Sequence, residues 1–166
     1  MALQLYKIAT VEVGSAGAAN ITFSSIPQGY TDLKIAITAR SEGTSTSAIL
    51  LRLNGSATNG TIRAIEGNGT AASSWSDTQS YAGNIPPSTY TANTFANNEV
   101  YIPNYTSSNF KSSSVDSVTE NNATAVLTDL QANLWSSTAA VTSIVLAPNG
   151  TNNFAQHTTA TLYGIL

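Results

Sequence analysis

Acid–base, nucleophilic and metal chemistry all draw on ionisable side chains, and this chain carries few. Its 166 residues include nine Asp or Glu, six Lys or Arg, one His and no Cys. An ordinary soluble domain is about a quarter charged. A nucleophilic Ser or Thr needs a base and an orienting acid beside it. The sole imidazole, His157, lies in Phe154-Ala155-Gln156-His157-Thr158 and reads as a hydrogen-bonded or exposed side chain near a strand start. Gly14-Ser15-Ala16-Gly17 lacks the spacing of a G-x-S-x-G elbow. Glycoside hydrolysis needs two carboxylates across one cleft. The nine acids (Glu12, Asp32, Glu42, Glu66, Asp77, Glu99, Asp116, Glu120 and Asp129) form no motif, which makes a glycosidase the weaker reading. There is no D-x-D-x-D-G calcium loop, and one His without Cys supplies no zinc set. No catalytic, cofactor-binding or metal-binding residue is assigned, and the expectation is a protein that is not an enzyme.

The same shortage limits the partners. Net charge is −3, and the six basic residues are dispersed from Lys7 to Lys111. Nucleic acid and anionic membranes both require a basic patch, so neither is expected. In place of charge the chain has 21 Ser, 23 Thr and 16 Asn, the composition of a surface built from hydroxyls and amides. The segment from Leu3 to Val13 has no basic start and no continuous apolar run, which reads as a strand rather than a signal peptide. The expectation is a soluble protein made in the cytosol. Trp75, Tyr81, Tyr90, Tyr101, Tyr105 and Trp135 could stack on sugar rings. The plainer reading puts Trp135 and Tyr163 in or near the core and Trp75 under its loop.

The elements that carry these residues repeat with a period of two. Leu33, Ile35, Ile37 and Ala39 alternate with Lys34, Ala36, Thr38 and Arg40, as in a half-buried strand. Ile49, Leu51 and Leu53 do likewise before Asn54-Gly55, and a last strand covers 159–166. In 141–146 both alternating sets are apolar, which predicts a strand lying centrally between layers. Further strands are expected at 3–13, 20–26, 61–66, 98–105 and 123–130. Asn-Gly pairs at 54–55, 59–60, 68–69 and 149–150 supply turns that need positive φ. The best helical candidate is the short segment Leu127 to Ser136. Residues 67–97 read as one or two long loops around a strand near 78–83. These elements predict one all-β domain over 1–166, an antiparallel β-sandwich of eight to ten strands for which a jelly roll fits.

Three blocks carry a further pattern. The first runs from Ile21-Thr22-Phe23-Ser24-Ser25-Ile26-Pro27-Gln28-Gly29-Tyr30 through Arg40. The second is Leu51-Arg52-Leu53-Asn54-Gly55 with Asn59 following. The third is Leu134-Trp135-Ser136 through Ile144, then Asn153-Phe154-Ala155 and the ending Leu162-Tyr163-Gly164-Ile165. Together they resemble a small jelly-roll family of tailed-phage virion proteins. Relatives commonly place Asp where this chain has Ser56, and are more basic in the segment matching 105–115, where only Lys111 remains. The resemblance implies a head decoration (cement) protein on the capsid surface, made in the host cytoplasm. Its partner would be the major capsid protein, and it would form a homo-oligomer, a trimer by analogy. It implies no cofactor and no catalytic residue. A tail-fibre or receptor-binding module that recognises host glycans is the alternative.

Overall fold

The computed structural model describes residues 4–122 and 127–166. Twelve strands follow one another and no helix occurs among the described residues: β1 (Leu5–Glu12), β2 (Ile21–Phe23), β3 (Asp32–Ala39), β4 (Ser47–Leu53), β5 (Gly60–Gly67), β6 (Ala72–Asp77), β7 (Tyr81–Ile85), β8 (Ala96–Ile102), β9 (Lys111–Thr119), β10 (Leu127–Trp135), β11 (Ile144–Pro148) and β12 (Thr159–Ile165). They build two antiparallel sheets, one of eight strands in the order β1-β12-β3-β8-β9-β10-β5-β6 and one of four, β2-β11-β4-β7. The expected all-β sandwich is the observed class, with two strands more than the upper expectation.

Without β5, β6, β9 and β10, the other eight strands form two four-stranded sheets, β1-β12-β3-β8 and β2-β11-β4-β7. Successive strands change sheet at each step except from β4 to β7, which is jelly-roll order. The two remaining pairs are hairpins inserted after β4 and after β8. They meet through β10 and β5 and extend the larger sheet by four strands. The main core lies inside the eight-stranded roll, around Leu33, Ile35, Ile37, Val100, Leu146, Phe154 and Leu162. A smaller cluster of Leu50, Ile62, Ala64 and Tyr81 lies beneath the extension.

Several expectations change here. Leu127 to Ser136 is not helical; it is strand β10, paired along its length with β9 and β5. Leu127, Leu130 and Leu134 have the spacing of a helix face, but Asp129, Gln131, Asn133 and Trp135 have the period of a strand, and their side are buried. The strand expected at 123–130 lies partly outside the described residues; its described part opens β10. Residues 67–97 hold two strands and not one: β7 (81–85) stands near the strand expected at 78–83, and β6 adds another at 72–77. β6 and β9 escaped notice because Ser fills their alternating positions. The strand expected from 141 begins at Ile144 and runs inside the small sheet between β2 and β4.

Beside the smaller apolar cluster, a layer of polar side chains also joins the two sheets under the extension. β7 is an edge strand, and its outer side rests on β8, β9 and β10. Asn133 accepts from Tyr81 N (3.1 Å) and donates to Tyr81 O (2.9 Å). Gly83 N donates to Gln131 Oε1 (3.3 Å), and Asn84 N to Ser117 Oγ (2.9 Å). Asn98 Nδ2 donates to Asn84 O (3.1 Å). Five backbone groups of a buried edge thus find partners in side chains instead of a strand. Gly83 makes this possible with φ of +93°, and a Cβ there would fall 2.5 Å from Asn98 Oδ1 and 2.9 Å from Ser117 Oγ.

Two basic side chains are buried in the same economy of charge. The Arg40 guanidinium donates to the carbonyls of Ser88, Tyr90, Thr91 and Thr94 at 2.7–3.2 Å, and so shapes the loop between β7 and β8. Lys111 donates to the carbonyls of Ser107 and Asn109 and lies 5.9 Å from the centre of the Trp135 ring. Burial holds both cations below their usual pKa range.

Truncation of Asn133 to Ala is expected to strand two buried backbone groups, at roughly 1–3 kcal/mol each. Leu130→Ser, on the outward side of the same strand, is expected to stay within about 0.5 kcal/mol in dilute protein. Urea denaturation of the two variants checks the contrast.

Candidate functional site

The residues singled out for chemistry do not gather in one place. His157 sits at a turn with φ of +69° and faces Glu12 at 3.3 Å, both side chains about two-thirds exposed. Asp32 accepts from Tyr101 OH (2.7 Å) and Asn104 N (2.8 Å). Asp77 accepts from Tyr81 OH (2.6 Å) and Thr78 N (2.5 Å). Desolvation, with the Asp77 hydrogen bond and charge, pushes Tyr81 up to about 12. Glu66 accepts from Trp75 Nε1 (3.0 Å) and Ser73 Oγ (3.1 Å), and Glu99 pairs with Lys34 (2.7 Å). Strand register sets two carboxylate pairs side by side, Glu99 with Asp116 on the open outer face and Glu66 with Asp129 on the inner face. Among the described residues no three His, Cys, Asp or Glu gather as a metal site.

The six aromatics do not form one platform. Tyr81, Tyr105 and Trp135 are buried, Trp75 and Tyr90 are half-buried, and Tyr101 is exposed. Trp75 meets the Tyr81 ring edge-on at 5.9 Å. Trp135 is in the core as expected, and Tyr163 is half-buried on the outer face.

The three sequence blocks converge at a seam of the roll. Asn54 accepts from Thr142 N (2.8 Å) and Ser143 N (3.1 Å) and donates to Ala140 O (2.8 Å). Ile26 N donates to Thr142 O (3.0 Å), and Gln28 Nε2 to Val141 O (3.1 Å). The Tyr105 hydroxyl donates to Pro27 O. Asn54 and Gly55 both take positive φ, at 53° and 69°. These positions therefore satisfy loop backbone and fix the fold; they do not form an opening for a ligand.

What remains is a surface that sequence reading missed. On β10 the pattern is inverted: Asp129, Gln131 and Asn133 point inward and Leu130, Ala132 and Leu134 outward. β5 adds Ile65 directly opposite Leu130, and β9 adds Val118 opposite Thr128. Ile65 is 61% exposed, Leu130 55%, Leu134 39% and Val118 38%. Ser74, Ser76, Ser112 and Ser114 flank them on the same face. Two open hollows of about 590 and 570 Å³ lie side by side and share Ile65, Leu130 and Ser74, which form the ridge between them. Arg63 lines one hollow and Asp116 the other. The signal was present as the strict alternation Asp129, Gln131, Asn133, which fixes Leu130 and Leu134 on the opposite face.

The inverted pattern leaves a carboxyl inside. Asp129 is 2% exposed, accepts from Gln131 Nε2 (2.5 Å), and leaves Oδ1 without a normal hydrogen bond although Ser117 and Asn84 are near. Burial raises its pKa, more than these neighbours lower it.

No protein-family model matches this chain, and neither a curated protein nor a solved structure does so significantly.

With the folded-state pKa of Asp129 raised, the native state holds this proton more firmly than the unfolded chain does. Its contribution to stability is greatest below the unfolded value and falls as pH rises through the folded one. Asp129→Asn is therefore expected to melt higher than the parent at pH 7. The gap should close as pH is lowered through the carboxylate range, read by thermal scans across pH.

Proposed function

We propose that this protein is a non-enzymatic structural component of a tailed-phage virion. It binds the exterior of the capsid as a decoration or cement protein, contacts the major capsid protein and stabilises the head. The observation that carries this reading is the outward apolar face of the extension, with Ile65, Leu130, Leu134 and Val118 exposed on one sheet. Surfaces of this kind mark protein contacts rather than catalysis. Broad neutral contacts suit a protein packed in many copies, because like charges on neighbours would repel.

The jelly-roll order and the three-block resemblance support the same reading, since the blocks occupy the seam that defines the roll. The composition supports it as well. Arg40 and Lys111 are drawn inside, which leaves still less charge at the surface. The glycan-binding alternative has less support, because three of its six aromatics are buried.

Purified protein added to undecorated heads is expected to co-sediment with them and to raise the temperature at which they open. Heads that neither bind it nor gain thermal stability would overturn the proposal. Immunogold labelling of intact virions should place it on the head; label confined to the tail would favour the receptor-binding alternative.

A further inference from the structure

The outer face of the extension has a regular grid. Across one row the register runs Tyr101, Ser114, Ala132, Arg63, Ser76, on β8, β9, β10, β5 and β6. Across the next it runs Glu99, Asp116, Leu130, Ile65, Ser74. Arg63 and Asp116 thus stand at opposite corners of a small rectangle centred on β10. They are separated by about 12 Å, at roughly 4.8 Å per strand and 3.4 Å per residue. Glu99 is tied to Lys34 at 2.7 Å, whereas Asp116 has no hydrogen bond or ion pair among the described residues. Arg63 donates only to its neighbour's carbonyl, Ile62 O (2.8 Å), so most of its guanidinium is unused.

We infer that this face pairs with the same face of a second copy of the chain, about a two-fold axis parallel to the two sheets, midway between them and perpendicular to the Arg63–Asp116 diagonal. Such an axis exchanges the two corners. Each Arg63 then stands over the partner copy's Asp116, and both ion pairs close at once, as an isologous contact requires. Shape agrees with charge. By the same grid this axis makes the Ile65–Leu130 ridges of the two copies cross, so that Ile65 and Leu130 of each copy pack on those of the other, with the hollows to either side. Small residues beside the ridge, Ser74, Ser114 and Ala132, let the two sheets approach. The apolar centre with a charged pair at its rim has the anatomy of a protein interface. The trimer expected by analogy would need a different, head-to-tail contact.

The pairing covers the face on which the proposed function rests, so on a capsid it would join neighbouring copies; it is tested on the isolated protein, where its failure is distinct from a failure to bind heads. Sedimentation velocity over a dilution series tests it. The parent is expected to move as a species of twice 17.2 kDa that dissociates on dilution. Arg63→Asp sets two carboxylates together and Asp116→Arg two guanidinium groups, and each is expected to weaken pairing about tenfold or more. The double swap, Arg63→Asp with Asp116→Arg, rebuilds both pairs and should recover most of the loss. Both positions are exposed, so circular dichroism should report an unchanged fold. Leu130→Ser should give a folded monomer. A parent that stays monomeric throughout, a trimer, or single and double variants that behave alike would each overturn the inference.

Discussion

Strand β7 ends the small sheet, so the N–H and C=O groups on its outer side have no neighbouring strand. They are nevertheless buried, and a buried amide without a partner costs about 1–3 kcal/mol. Asn133, Gln131, Ser117 and Asn98 take the place of the missing strand, each reaching from the facing sheet to a named backbone atom of Tyr81, Gly83 or Asn84. Everything distinctive about the extension follows from this. Polar residues must face inward on β9 and β10, Gly must stand at 83, and a carboxyl at Asp129 shares the layer. The apolar residues of β10 are consequently turned outward, since successive side chains of a strand point to opposite faces. The inner demand thus creates the outer surface.

The composition has a related explanation. Asn, Gln and Ser serve here as interior residues, not merely as a neutral coat. The few cations also work internally. Arg40 gathers four loop carbonyls and Lys111 two, and among the described residues neither forms an ion pair with a carboxylate. A guanidinium is suited to the first role because its planar fork offers several donors at once. Placing charge inside loops removes it from the exterior, and the exterior is then free to meet copies of itself or other neutral surfaces at close range.

The roll itself was readable from sequence because its strands obey the usual alternation. Leu33, Ile35 and Ile37 on β3 and Ile49, Leu51 and Leu53 on β4 are buried as their spacing predicts. Of the extension, β5 was readable as the strand expected at 61–66, whereas β6, β9 and β10 did not obey that rule. In β9, Ser113 and Ser117 occupy core positions, and Val115 and Val118 lie three apart on opposite faces. In β10 the Leu residues have helical spacing by coincidence and do not mark the core. The candidate surface is hidden in the sequence for the same reason, since the apolar set of a strand ordinarily faces the core. A polar set at strict period two, once accepted as interior, would have revealed both the strand and its exposed face.

Native-state hydrogen exchange at the amides of Tyr81, Gly83 and Asn84 probes the β7 edge directly. If the facing side chains truly replace a strand, these three amides should exchange as slowly as those in the middle of β9 and β10. In Asn133→Ala, Tyr81 should lose protection first. Exchange of all three at the rate of an open sheet edge would contradict the account.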